Sequence, residues 1–395
     1  MNSIMSDQIT NSPTEDGDLK RSLSNRHLQL IAIGGAIGTG LFMGSGKTIS
    51  LAGPSILFIY MIIGLMVFLV MRALGELLLS NLQYKSFIDF STDLIGPWAG
   101  YFVGWTYWLC WITIGIADLS AIIYYLQFFN NGMPFTPLEG VLISVASIIF
   151  ITGLNLATVK LFGEMEFWFA MIKIIAIVVL IAVGAWMIFT GFTSTAGEVA
   201  AFSNLWSHGG MFPTGLGGFL AGFQIAIFAF VGVELVGTTA AETKDPEKNL
   251  PKAVNSIPIR IIIFYVLALV IVMAVTPWNK IDPSISPFVN LFSQAGIAAA
   301  AIIMNLVVLS SVMSSMNSGV FSTSRMLFGL SRDEQGPKSF GKLNKRAVPA
   351  NALYFSTVCL LAGAALQYFV PNTVEAFTLA TTLSTILFIC VWLMI

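Results

Sequence analysis

The chain has 395 residues, of which 56% are hydrophobic and only 10% charged, with a formal net charge of -1. A soluble domain carries about 45–50% apolar and about 25% charged residues, so the composition excludes an ordinary soluble enzyme and describes a chain built for lipid. The near-zero net charge gives no ground for a nucleic acid partner, and the charges matter by where they stand.

Residues 1–26, which open MNSIMSDQITNSPTEDGDLKR, are polar and acidic and lack the apolar stretch and small-residue cleavage site of a signal peptide. They read as a disordered cytoplasmic tail. Beyond them, a crossing needs about 20 predominantly apolar residues, and the sequence divides into ten such segments. These are Leu28–Ile49, Pro54–Ser80, Trp98–Phe129, Val141–Val159 and Glu166–Thr190 in the first half. The second half has Leu216–Ala241, Ile257–Thr276, Pro287–Leu330, Ala350–Val370 and Ala376–Ile395. The Pro287 segment is too long for one crossing, and its end, GVFSTSRMLFGLSRDE, is predicted to turn onto the membrane surface. The last segment closes on TILFICVWLMI without the interfacial anchor that normally ends a span, so a longer chain is expected.

Of the 19 Lys and Arg, only Lys47 and Lys280 fall outside and Lys173 within a span when the amino terminus is placed in the cytoplasm. All the others gather on the cytoplasmic side, which fixes the orientation. Two sets of five spans are opposite in topology, the inverted-repeat design of many secondary transporters.

The first span contains Gly34, Gly35, Ala36, Ile37, Gly38, Thr39 and Gly40 in a row. The sixth contains Gly215, Gly217, Gly218 and Gly222, followed by Phe228, Ala229, Phe230, Val231, Gly232, Val233 and Glu234. Each Gly costs a helix about 1 kcal/mol relative to Ala, so matching clusters in both halves predict discontinuous helices. At such breaks exposed N–H groups can meet a carboxylate and freed carbonyls an ammonium group. Close packing is the competing explanation, and for Gly96, Gly100 and Gly104 in the third span it is the preferred one. In the first span Gly35 and Gly40 fall off a single face, which packing alone leaves unexplained.

Ionisable groups inside the bilayer are costly and mark function by default. Arg72 and Glu76, four residues apart near an inner helix end, read as a snorkelling pair. Glu164 and Glu166 begin a helix, where negative charge suits the dipole. Asp118 lines an outer vestibule or pairs locally. Lys173, two turns into the fifth span, and Glu234, just after the sixth-span glycine, are the candidates for proton coupling, because burial works against their charged forms.

Other chemistries fail on spacing. Gly44-Ser45-Gly46-Lys47-Thr48 has Leu41 where a phosphate loop requires glycine, so no nucleotide site follows. His27 and His208 stand at span margins, and Cys110, Cys359 and Cys390 are far apart. No metal site, cofactor or enzymatic constellation is expected.

The stretches LQLIAIGGAIGTGLFMGSGKTISLAGPS, GEMEFWFAMIKI, FAFVGVELVGTTAAETKDPEKNLPKAVNSIPIRI and VFSTSRMLFGLSRD resemble the bacterial amino acid transporter family of the amino acid/polyamine/organocation superfamily. Within it, SGKTISLAGPS and IGPWAGYFVGWTYW are similar to the branch that carries D-serine, D-alanine and glycine. The resemblance implies an all-α membrane protein with a five-plus-five inverted-repeat core and discontinuous first and sixth helices, over residues 27–395. Twelve helices in the family imply two more beyond this chain. It implies symport of a small amino acid substrate with a proton, in the lipid bilayer of the bacterial inner membrane. The carboxylate would meet the backbone of Gly38, Thr39 and Gly40, and the ammonium group carbonyls of Ala36, Phe228 and Val231, with Ile37 and Gly232 at the breaks. Lys173 would stand where sodium-coupled relatives bind their metal ion, near the first helix and Ser314 and Ser315 of the eighth, and Glu234 matches the family's sixth-helix acid. A permease for other amino acids, a sensor and a channel are the alternatives.

Overall fold

The computed structural model describes residues 37–395 except 82, 83, 85, 195, 196, 236–244 and 297. The predicted tail, and the first segment through Ala36, lie outside the described residues. Within them the protein is helical, and the only strand-like pairing is one bridge between Thr193 and Val199. Eight helices among the described residues are long and apolar enough to cross a membrane.

The first predicted segment continues here as α1 (Thr39–Phe42) and α2 (Gly44–Ala52). The chain then turns at Gly53, whose φ of 60° suits glycine, and Pro54 leads into α3 (Ile56–Ser80). Arg72 and Glu76 of α3 pair at 3.0 Å with both side chains well exposed, as a snorkelling pair should. A short surface helix, α4 (Phe87–Leu94), starts from a reciprocal Ser86–Asp89 capping box. Proline opens both α5 (Pro97–Gln127) and α6 (Pro137–Asn155), the latter behind a Thr136–Glu139 capping box. Thr158 caps α7 (Val159–Thr190), and Gly191 at φ 61° ends it.

The second half begins with α8 (Gly215–Ala226), then the short α9 (Pro246–Asn255) and α10 (Ile257–Ile261). A π-helical turn over Ile262–Leu267 joins α10 to α11 (Ala268–Val275). After α12 (Pro287–Gln294) come α13 (Ala298–Arg332), α14 (Ala350–Cys359), α15 (Leu361–Phe369) and α16 (Thr373–Met394), the last capped by Asn372.

The Pro287 segment breaks at its beginning and not at its end. Residues GVFSTSRMLFGLSR stay within the 35-residue helix α13 and do not turn onto the membrane surface. Their apolar members explain why: Phe321, Met326, Leu327 and Leu330 are all buried. Much of that burial is against α5, where Gly104 makes room for Leu330; a Cβ there would stand 2.7 Å from Leu330 Cδ2. At 1.5 Å per residue α13 measures about 52 Å, well beyond the roughly 30 Å hydrocarbon layer. The third-span glycines therefore divide by role. Gly100 and Gly104 serve packing as predicted, whereas Gly96, at φ 133°, starts α5. Central α5 packs against both α13 and α16, which sets its inner face toward the middle of the bundle.

Candidate functional site

Two breaks face each other at the centre of the fold. Gly38 is extended (φ -128°, ψ -160°), and α1 begins at Thr39 with no side chain capping it. Gly38 O accepts the amides of Leu41 and Phe42 at 3.2 and 3.3 Å, while the Thr39 and Gly40 amides are the donors a helix start leaves over. Opposite, α8 runs into a 3-10 turn over Ile227–Phe230, and Val231 turns extended (ψ 141°) before Gly232 adopts φ 99°. The breaks touch through backbone: a Cβ on Gly40 would stand 2.6 Å from Ala229 Cα and 2.9 Å from the carbonyl carbon of Phe228.

Between them lies a constricted cavity of about 10 Å³, room for little more than one water molecule. The first break contributes Gly38, Thr39 and Gly40, and the second Phe228, Ala229 and Val231. Ser315 of α13 and Trp111 and Ile114 of α5 complete the wall. Of the predicted residues, Gly38, Thr39, Gly40, Phe228, Val231 and Ser315 thus come together, with Ile37 and Gly232 at the breaks themselves. Ala36 lies outside the described residues. Sequence reasoning missed Trp111 and Ile114, since a tryptophan and an isoleucine in an apolar span carry no mark that separates a cavity wall from a lipid-facing or packed residue.

Behind the cavity stands a set of fully buried ionisable groups. Asp118, one turn along α5 from Ile114, has no exposed surface and accepts Thr39 Oγ1 at 2.5 Å. It does not line an outer vestibule; it ties the third span to the start of α1. Lys173 is equally buried, and its Nζ donates to Ser314 Oγ at 3.1 Å. Ser314 Oγ in turn donates to Glu166 Oε2 at 2.7 Å, and Asn317 Nδ2 donates to Glu166 Oε1 at 2.7 Å. Asn155 Nδ2 donates to Asn317 Oδ1 at 2.8 Å.

Glu166 therefore departs from its sequence reading as an acid that favours a helix start. Because α7 begins at Val159, Glu166 sits two turns inside, beyond reach of the terminal dipole, and is 2% exposed. What holds it is the hydroxyl and amide of α13. One more contact joins that face of α13 to the first break: Ser311 Oγ donates to Ile37 O at 3.1 Å.

Glu234 serves the other break. Its two carboxylate oxygens accept the Gly232 amide at 3.2 and 3.1 Å, and Tyr107 donates its hydroxyl to Oε1 at 3.3 Å. Tyr265 donates to Ala229 O at 3.0 Å, so the irregular backbone after α8 is pinned on both sides. Burying such groups is tolerable only when they are hydrogen-bonded.

The sequence matches the amino acid permease family over residues 27–395. It is 64% identical over 377 residues to the "D-serine/D-alanine/glycine transporter" of Escherichia coli (strain K12), covering 95% of this chain and 79% of that protein. The "Amino-acid permease AapA" of Bacillus subtilis (strain 168) is 54% identical over 374 residues, 95% of this chain and 79% of its own. The "Aromatic amino acid transport protein AroP" of Escherichia coli O6:H1 is 42% identical over 366 residues, 93% of this chain and 78% of its own. With its helices long enough to span a bilayer and these relatives named as transporters or permeases, this multi-pass membrane chain belongs to the amino acid permease family, whose members carry amino acids and are not enzymes.

Proposed function

We propose that the protein is a proton-coupled symporter of small zwitterionic amino acids, with D-alanine, D-serine and glycine as substrates, in a bacterial inner membrane with its amino terminus in the cytoplasm. The observation that carries this reading is the meeting of the two backbone breaks across a small cavity. One break sets the amides of Gly38, Thr39 and Gly40 at a helix start, a place that suits a carboxylate. The other offers carbonyls at Phe228 and Val231, which, with that of Ala36, suit an ammonium group. A five-plus-five inverted repeat is the architecture that sets two such breaks opposite one another. The printed name of the 64% identical relative supports the choice of substrates.

Trp111, Ile114 and Phe228 wall the cavity closely, which favours a side chain no larger than a hydrogen, a methyl or a hydroxymethyl group. At about 10 Å³ the cavity has to open for any substrate, and most for the larger ones. Coupling falls to Lys173. Charged, it grips Ser314 of α13; neutral, it releases that grip, giving an element with two arrangements for a proton gradient to bias. Glu234 is the second candidate for coupling.

Purified protein in liposomes, with an alkaline interior, is expected to concentrate labelled D-alanine above the outside level. Absence of accumulation with retained binding would leave a sensor, and equilibration without accumulation a channel. In competition, glycine and D-serine are expected to match D-alanine, and phenylalanine and lysine to compete at least about tenfold more weakly, which takes only some 1.4 kcal/mol of misfit. Equal competition by phenylalanine would overturn the substrate assignment.

A further inference from the structure

Glu166 has no part in the scheme above, yet its contacts form a directed chain with Lys173. Lys173 Nζ donates to Ser314 Oγ, and that hydroxyl spends its own hydrogen on Glu166 Oε2. Each link is within hydrogen-bond distance, and both donate in the same sense, from ammonium to carboxylate. The second oxygen of Glu166 is fixed by Asn317, itself fixed by Asn155. This second arm orients the carboxylate and aims its first oxygen at Ser314. Glu166 also stands seven residues nearer than Lys173 to the start of α7, about 10 Å along the axis. That start lies at the end of the fold where Arg346 donates to Leu156 O, among the basic residues that mark the cytoplasmic side.

We propose that Glu166 is the inward proton acceptor of the transport cycle, reached from Lys173 through the hydroxyl of Ser314. In the transfer an N–H bond of the Lys173 ammonium breaks as its proton forms a new O–H bond on Ser314. The former Ser314 hydrogen leaves for Glu166 Oε2. Ammonium becomes amine, carboxylate becomes carboxylic acid, and the serine ends as it began. The total charge of the buried set is unchanged, so the step creates no new charge in the bilayer. It also removes the ammonium that grips α13, so release of the helix and inward delivery of the proton occur together.

The surroundings suit this exchange. Along α13 no ionisable residue stands between Ala298 and Arg325. Arg325 lies two turns past Asn317 with its guanidinium over the Phe321 ring. Of the other elements packed on α7, neither α11 nor α12 carries an ionisable residue, the π-helical turn carries Tyr265, whose hydroxyl goes to Ala229 O, and α6 offers Asn155. Asp118 of α5 is the one further acid that acts on Lys173; its carboxylate accepts the Thr39 hydroxyl and attracts the ammonium from the side of the first break. Lys173 and Glu166 are thus joined through the serine, with asparagine behind the carboxylate.

The inference rests on Lys173 as the coupling residue, and the test separates the two. In proteoliposomes, gradient-driven accumulation of D-alanine is compared with exchange of labelled for unlabelled D-alanine at equal acidic pH, where the proton need not leave the carrier. Glu166→Gln and Ser314→Ala are expected to lower net accumulation by about a hundredfold, the low end of what a positioned proton-transfer group contributes. Exchange falls far less, so the ratio of exchange to net uptake rises, and Ser314→Thr, which keeps the hydroxyl, restores accumulation. Exchange also reports that each variant is folded, and a variant without exchange is checked for thermal stabilisation by D-alanine. Wild-type accumulation by Glu166→Gln or Ser314→Ala would overturn the relay, as would parallel loss of exchange and accumulation in protein that D-alanine still stabilises. If Lys173→Met itself accumulates D-alanine, the coupling reading has failed and the relay falls with it. If only Lys173→Met is inactive, the relay alone is wrong.

Discussion

Gly40→Ala is expected to abolish transport, leaving uptake below about 1% of wild type, on the scale that a misplacement of about 1 Å in a site imposes. The new methyl would lie 2.6 Å from Ala229 Cα, 2.8 Å from Ala229 N and 2.9 Å from the Phe228 carbonyl carbon, all backbone atoms. Overpacking costs about 1–3 kcal/mol where side chains can move aside, but here only the two broken helices can part. Parting them displaces the amides of α1 from the carbonyls beyond α8 and opens the cavity they share. Uptake and thermal unfolding of the inserted protein measure both effects. Near-normal uptake by Gly40→Ala would remove the touching breaks from the description of this site. At Gly38 the φ and ψ are open to any residue, so the conformation of its own backbone does not demand glycine.

Lys173→Met is expected to reduce gradient-driven accumulation to simple equilibration. The methionine fills the space but cannot donate to Ser314, and it strips the buried set of its cation while Glu166 and Asp118 remain. Removing one partner of a buried charged set typically costs about 3–5 kcal/mol, so a lowered melting temperature should accompany the functional loss. Lys173→Arg keeps the charge and is also expected to fail, since a guanidinium does not release its proton in a protein. The pair therefore separates a need for charge from a need for exchangeable charge. Should Lys173→Met still concentrate substrate in response to a pH gradient, the proton rides elsewhere, and Glu234 is the next residue to replace.

Where the described residues hold helices long enough to cross, the spans were legible because a bilayer admits few backbone solutions. Single glycines, Gly38 and Gly232, stand at the irregular backbone, whereas the denser cluster of the sixth span lies inside α8, where Gly222 serves close packing against Ala52 and Ile59. The reason Gly40 is needed was not legible: it faces the backbone of the other break, a contact between positions 189 residues apart that no local pattern encodes. Glu166 was misread for a related reason. Its place near a helix start is visible in sequence, but its partners Ser314 and Asn317 come from a helix half the chain away. Length misled in the Pro287 segment, where the excess lies in a break before α13 and in a helix longer than the membrane and not in a turn at its end; α5 on one side supplies the burial that keeps α13 continuous.

Ser311, Ser314 and Ser315 share one face of α13, three and four positions apart. From that face the helix holds Ile37 at the first break, takes the hydrogen bond of Lys173 and walls the cavity. A helix turns about its axis as one rod, so no rotation frees one of these contacts and keeps the others. Under the coupling proposed for Lys173, the latch on the substrate and the latch on the proton are cut into the same shaft, and a machine built that way would have no setting in which one cargo slips through while the other stays behind.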